Sequence, residues 1–224
     1  MITDIFLDLD NTLIDFNGCA RSSMKKLFPE YSLVFRDEYF DTFLETNNAL
    51  WRDIESGRLT RERLREIRWN TIFKKLGLSC NGVAFEVQFE QGIAEGTEPV
   101  DGAFELLCYL YPKYRLHIVT NGFAATQKNR LKKGGYDKYI DKVFISENIG
   151  VQKPQKGFFD ACFKELQGVE PENCVLIGDS LTADISGGLS YGIKTIWFNR
   201  NGEAPTDVVP DYTVSALCEI KALL

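Results

Sequence analysis

The chain has 224 residues, 44% of them apolar and 26% charged, with a formal net charge of −6. This is ordinary for a globular protein and fits one large domain or a core with a smaller one inserted. The acidic excess argues against a nucleic-acid polymer as partner but leaves small anionic ligands open.

No apolar run reaches the roughly 20 residues of a membrane span. The N-terminal stretch carries aspartates where a signal peptide needs basic residues, so a cytoplasmic protein is expected. The cysteines are dispersed, without a C-x-x-C pair, and read as reduced packing residues.

Ile5-Phe6-Leu7 is a short apolar run that reads as a buried strand, ending at Asp8-Leu9-Asp10-Asn11-Thr12. Two carboxylates that close repel each other, which makes sense when a cation or a shared proton sits between them. Alone, the same residues also fit a solvated turn. Residues 16–94 then look helical. Phe35, Tyr39, Phe43, Leu50, Trp51 and Ile54 recur at near-helical spacing, as do Leu64, Ile67, Ile72, Phe73 and Leu76. Thr60 suits a helix start and Gly77 a stop.

From Pro99 helices and strands alternate. The pattern predicts helices over 103–110, 124–133, 158–166 and 182–189, and strands over 115–119, 142–145, 174–177 and 195–198. A short strand near 212–214 and a terminal helix follow. Such alternation implies a parallel sheet with helices on both faces, and the first strand must join it. The expected fold is α/β: a Rossmann-like core from residues 1–15 and 96–224, with residues 16–95 inserted as an all-helical domain. The single histidine, His117, lies in an apolar run and reads as a strand residue.

In open α/β sheets ligands bind beyond the carboxyl ends of the strands. Asp8 and Asp10 follow the first strand, and Thr120-Asn121-Gly122 follow the second. Lys153-Pro154 comes after the third. Gly178-Asp179-Ser180 follows the fourth, with Asp184 five residues beyond Asp179. Each segment alone fits a turn or a charged loop. Together they bring a nucleophile, hydroxyl and amide donors, a fixed cation and further carboxylates to one sheet edge.

The order Asp-x-Asp-x-Thr-Leu, Thr-Asn-Gly, Lys-Pro and Gly-Asp-Ser-x-x-x-Asp resembles the four motifs of the haloacid dehalogenase (HAD) superfamily, complete from Asp8 to Asp184. The inserted block looks like that superfamily's C1-type helical cap, whose two connections can act as hinges. Asn47 to Trp51, Gly57, Arg68-Trp69 and Gly-Asp-Ser-Leu-Thr-Ala-Asp-Ile look like the pyrimidine 5′-nucleotidase branch.

The resemblance implies a Mg²⁺-dependent phosphomonoester hydrolase. Asp8 would attack phosphorus and form an aspartyl phosphate. Asp10 would protonate the leaving oxygen, then take a proton from the hydrolytic water. Asp8, Asp179 and the Asp10 carbonyl would hold Mg²⁺, with Asp184 nearby through water or orienting Lys153. The Thr120 hydroxyl and the Asn121 amide would bind phosphate oxygens, and Lys153 would neutralise their charge. The chemistry agrees. Enzymatic phosphate monoester hydrolysis reaches accelerations of ~10²¹. Acid–base help supplies typically about 10²–10⁴, so a covalent step and a metal are needed too.

The implied substrate is a small phosphorylated metabolite, by branch a pyrimidine deoxynucleoside 5′-monophosphate. Phe16 and Trp51 could stack on its base and Arg68 could meet a polar edge. Aromatics at helical spacing are more often core, and an arginine such as Arg68 is more often a surface or ion-pairing residue. Rival readings are a sugar-phosphate phosphatase or phosphomutase, a haloacid dehalogenase, and a non-catalytic binding protein. Haloacid dehalogenases lack an aspartate at the position of Asp10, and a non-catalytic member should have lost a catalytic position.

Overall fold

The N-terminal apolar run forms β1 (Asp4–Leu7), a strand with all four residues buried. The structure, a computed structural model, describes residues 1–204 and 206–224. Four helices follow β1: α1 (Phe16–Glu30), α2 (Asp37–Glu55), α3 (Arg61–Leu76) and α4 (Gly82–Glu95). The chain then alternates through α5 (Ala103–Leu110), β2 (Arg115–Thr120), α6 (Ala124–Lys133), β3 (Lys142–Ile145), α7 (Ser146–Ile149), α8 (Lys156–Glu165) and β4 (Cys174–Gly178). It closes with α9 (Ser186–Tyr191), β5 (Lys194–Phe198) and β6 (Tyr212–Val214). Two compact units result, Met1–Asp15 with Thr97–Leu224, and Phe16–Gly96.

In the first unit the described strands pair in the order β3-β2-β1-β4-β5-β6, all parallel. β1 is central: Ile5 lies beside Leu116 on one side and Val175 on the other. A parallel sheet covered on both faces wants continuous apolar strands, which is how Leu116 to Val119 and Cys174 to Ile177 read. Phe6, Val119, Phe144, Phe158, Phe159 and Leu176 share one buried cluster.

His117 is a buried residue of β2, as its apolar neighbours imply, and its Nε2 lies 2.8 Å from Asp4 Oδ1. Asp4 also accepts from the Thr3 hydroxyl at 2.6 Å and from Arg115 at 2.9 Å, so no carboxylate oxygen is left bare. Two expectations need correction. The helix expected over 182–189 starts as a wide π-type turn, Leu181–Ile185, before α9. The terminal helix is a short 3₁₀ segment, Leu217–Ala222.

The second unit is four helices around an aromatic interior. Phe28, Phe43, Trp69, Phe73, Phe85 and Phe89 are all buried. Trp69 and Phe85 have ring centroids 4.3 Å apart, and Phe28 meets Phe85 edge-on at 5.7 Å. The signals for α3 hold: the Thr60 hydroxyl oxygen accepts from the Arg63 N–H at 3.2 Å, and Gly77 ends the helix at φ 67°. A left-handed residue there suits glycine.

Arg68 departs from the expected polar substrate contact, because its donors point into this unit. Its Nε donates to Glu86 Oε2 at 3.0 Å, its Nη2 to Glu86 Oε1, and its Nη1 to Asn47 Oδ1 at 3.0 Å. Both charged side chains are 3% exposed. Burial pushes the Glu86 carboxyl up, with Arg68 working against it. Phe16 stacks on Phe43 at 6.5 Å, and Trp51 is half-buried on α2.

A one-to-one buried pair costs most when a single partner is removed. Glu86→Ala should therefore lower the unfolding free energy by about 3–5 kcal/mol in urea titrations. Arg68→Met combined with Glu86→Leu should lie within about 1 kcal/mol of wild type. Equal losses in both variants would show that packing, rather than charge pairing, is what Arg68 supplies.

Candidate active site

Asp8, Thr120 and Asp179 each sit where a strand ends. Asp8 follows β1, and its N–H extends the pairing to Ile177 O at 2.9 Å. Thr120 is the last residue of β2, and Asp179 follows β4. The strand order reverses between β1 and β4, which is where an open parallel sheet leaves a crevice. The Trp197 indole N–H pins Asp179 by donating to its carbonyl at 2.9 Å.

Lys153 reaches this edge from the segment between α7 and α8. Its ammonium is 2% exposed. It donates to Asp8 Oδ1 at 2.7 Å, to Asp184 Oδ1 at 2.6 Å and to Val119 O at 2.6 Å. An ammonium has three protons, so this arrangement uses all of them. Here Lys153 fixes one oxygen of Asp8 and the direction of the other. It offers a ligand its charge rather than a spare hydrogen bond.

One carboxylate oxygen from each of Asp8, Asp179 and Asp184 lies within 4.8 Å of the others. Three carboxylates thus face one ammonium. Burial first, then the charges of Asp184 and Asp10, push the Asp8 carboxyl up against the pull of Lys153. Burial and the neighbouring Asp8 and Asp184 push Asp179 well up. Burial opposes the charge on Lys153, but Asp184 and Asp8 outweigh it and hold the ammonium above its usual value. Such a cluster of hard oxygen donors with unbalanced negative charge fits a divalent cation such as Mg²⁺.

Gly178 leaves the space Asp184 needs, since a Cβ there would collide with the Asp184 carboxylate. Asp184 Oδ2 also accepts from the Ser180 N–H at 3.1 Å. Asn121 holds the backbone of Lys153 on both edges, donating Nδ2 to its carbonyl and accepting its N–H at Oδ1, each at 3.0 Å. The Asn121 side chain thus places Lys153 through one of its two amide protons and its carbonyl oxygen.

Sequence reasoning missed two residues. Asp10 does not stand alone beside Asp8: Arg130 donates to its Oδ1, and Gln127 to its Oδ2 at 2.6 Å. Both come from α6, in a run rich in lysine and arginine that reads as a solvated face. The available signal was their spacing of three, which puts them on one side of a helix.

The model of the family described as haloacid dehalogenase-like hydrolase matches residues 5–198. The chain is 34% identical over 212 residues to the pyrimidine 5′-nucleotidase PynA of Streptococcus pneumoniae (strain ATCC BAA-255 / R6), covering 94% of this chain and 90% of that one. It is 33% identical over 221 residues to the pyrimidine 5′-nucleotidase YjjG of Escherichia coli (strain K12), covering 98% and 96%. Among solved structures it superposes with a TM-score of 0.93 on YfnB of Bacillus subtilis, a protein whose name places it among HAD-hydrolases and whose structure is bound to magnesium. That match has 31% identity and covers 99% of this chain and 98% of the other.

The three-way bonding of Lys153 sets a stability test. Lys153→Met leaves Asp8 and Asp184 without their shared cation, and should cost about 3–5 kcal/mol in chelator at neutral pH. Urea unfolding measures it. A loss below about 0.5 kcal/mol would mean that the two carboxylates do not depend on the ammonium.

Proposed function

The chain belongs to the haloacid dehalogenase-like hydrolases and is a phosphatase of that type; from this premise we propose a Mg²⁺-dependent nucleoside 5′-monophosphatase that works through an aspartyl phosphate and prefers pyrimidine deoxynucleotides. The observation that carries the chemistry is the cluster of Asp8, Asp179 and Asp184 around Lys153. The substrate rests on the likeness to the two nucleotidases.

In this reading Asp8 attacks phosphorus, and the bond to the leaving oxygen breaks as Asp10 supplies its proton. Water then attacks the phosphorus of the aspartyl phosphate. Asp8 departs as carboxylate, and Asp10 takes the water proton. Thr120 donates its hydroxyl to a phosphoryl oxygen, the Asn121 amide contributes a second donor, and Lys153 offsets developing negative charge. Asp8, Asp179 and the Asp10 carbonyl would hold Mg²⁺, with Asp184 bracing Lys153. The ion would screen the carboxylates from the substrate dianion and polarise the phosphoryl group.

Residues 16–95 are proposed as the cap domain that selects the leaving group. Trp51 and Phe16 are its candidate base-stacking residues. Arg68 is left to a structural role by its pairing with Glu86. The protein is further proposed to act in the cytoplasm on small phosphorylated metabolites. Among the described residues no helix is long and apolar enough to cross a membrane.

Three outcomes test this. Asp8→Asn should release almost no phosphate while melting as wild type does, because the shape is kept and the nucleophile is gone; substantial turnover in that variant would refute the covalent route. Chelation should stop turnover and Mg²⁺ restore it. Mg²⁺ at 100 times its Kd should also stabilise the wild type by about 2.7 kcal/mol, and Asp179→Asn by much less. Finally, Trp51→Ala should shift kcat/KM among nucleotides while leaving p-nitrophenyl phosphate nearly untouched. A wild type that ignores nucleotides but hydrolyses a sugar phosphate would overturn the substrate and keep the phosphatase.

A further inference from the structure

α6 carries two buried polar side chains that the scheme above does not use. Gln127 is 1% exposed and Arg130 0%. Burying an amide and a guanidinium is costly unless both find partners. Theirs converge on the acid–base group. Arg130 Nη1 donates to Asp10 Oδ1, and Gln127 Nε2 donates to Asp10 Oδ2 at 2.6 Å. The same Nε2 donates to Thr120 Oγ1 at 2.9 Å, and Arg130 Nη1 reaches Gln127 Oε1 at 3.3 Å. Both Asp10 oxygens are thereby clasped from one helix face, and both amide protons of Gln127 are used.

Thr120 is fixed by the same contact. Its hydroxyl oxygen accepts from Gln127 and from the Gly122 N–H at 3.1 Å. A hydroxyl has two acceptor sites and one proton, so the Thr120 proton must be donated elsewhere. Gly122 keeps the route open, since a Cβ there would run into the Gln127 amide.

We propose that Gln127 and Arg130 are positioning residues that set the side-chain direction of Asp10, and that Gln127 also commits the Thr120 hydroxyl to donating toward the phosphoryl group. This rests on the reading of Asp10 as the acid–base group. A free aspartate side chain samples several rotamers, and a misplacement of about 1 Å can cost about 10²-fold in rate. The clasp removes that freedom.

The two half-reactions separate this role from a structural one. p-Nitrophenolate leaves phosphorus without needing a proton, so Asp8 can be phosphorylated from p-nitrophenyl phosphate without Asp10. Hydrolysis does need Asp10: the water oxygen bonds to phosphorus, the bond to Asp8 breaks, and the water proton goes to Asp10. With the clasp removed, the phosphorylated enzyme should accumulate.

The test is stopped-flow hydrolysis of p-nitrophenyl phosphate with Mg²⁺ by the full chain. The variants are Arg130→Met, Arg130→Lys, Gln127→Met, Asp10→Asn, and Asp10→Asn with Arg130→Met. Arg130→Met should give a burst approaching about one p-nitrophenolate per chain, then a steady state slowed at least about tenfold, with KM falling alongside kcat because kcat/KM reports the unimpeded phosphorylation step. Arg130→Lys should recover part of the loss. On the Asp10→Asn background, Arg130→Met should slow turnover less than about twofold, because the group it acts through is gone. Gln127→Met should show the same burst and decides the matter if Arg130→Met melts early. A burst-free loss, or the same loss on both backgrounds, would make the clasp a packing feature. Wild-type kinetics in both clasp variants would also overturn the proposal. Asp10→Asn running at the wild-type rate would instead remove the acid–base reading, and the positioning role with it.

Discussion

Three carboxylates crowd the carboxyl edge of the sheet beside one ammonium that bonds only two of them, and that imbalance shapes the whole edge. Like charges this close disfavour each other's ionisation, and burial deepens the cost. The arrangement holds because each group is tied to a different element. Asp8 is carried by β1, Asp179 follows β4 and is pinned through Trp197 of β5, and Lys153 is threaded in by Asn121. Each tie is modest alone. Together they hold a charge distribution that would otherwise relax by protonation or by side-chain rotation.

The second unit also buries charge, and the contrast is instructive. Arg68 and Glu86 meet one to one in two contacts, with Asn47 taking a third donor. That pair is balanced and leaves no demand for a further ion. The sheet edge is unbalanced and leaves one. Buried ionisable groups become candidates for chemistry when their charges do not cancel, which burial alone does not reveal.

This contrast also marks what the residues disclosed in advance. The alternation after Pro99 was legible because strands buried on both faces must be apolar, and the phosphate-type motifs stood out because they follow those strands. Thr60 and Gly77 were legible as local punctuation. Gln127 and Arg130 were not, and for Arg68 an ion pair was weighed but not its partner: a polar residue on a helix reads as solvated until its partner is known, and Glu86 lies 18 residues from Arg68 while Asp10 lies 120 from Arg130. The wide turn at Leu181–Ile185 was hidden for the same reason. The Ser180 carbonyl accepts from both Asp184 and Ile185, and the Ser180 N–H is drawn back to the Asp184 carboxylate. No propensity encodes that.

The position of β1 in the chain has a consequence for synthesis. Its partners are β2 and β4, so Asp4 pairs with Arg115 and Cys174. A ribosome makes β1 before the helices of the second unit, which close around their own aromatic interior using neighbouring segments. Until β2 emerges, an Ile-Phe-Leu strand waits with both edges unpaired, the condition that favours aggregation. At about 5–20 residues per second, the inserted block lengthens that wait by roughly 4–16 s. Asp8 is made long before Ile177, yet its N–H finds its acceptor only when Ile177 leaves the exit tunnel.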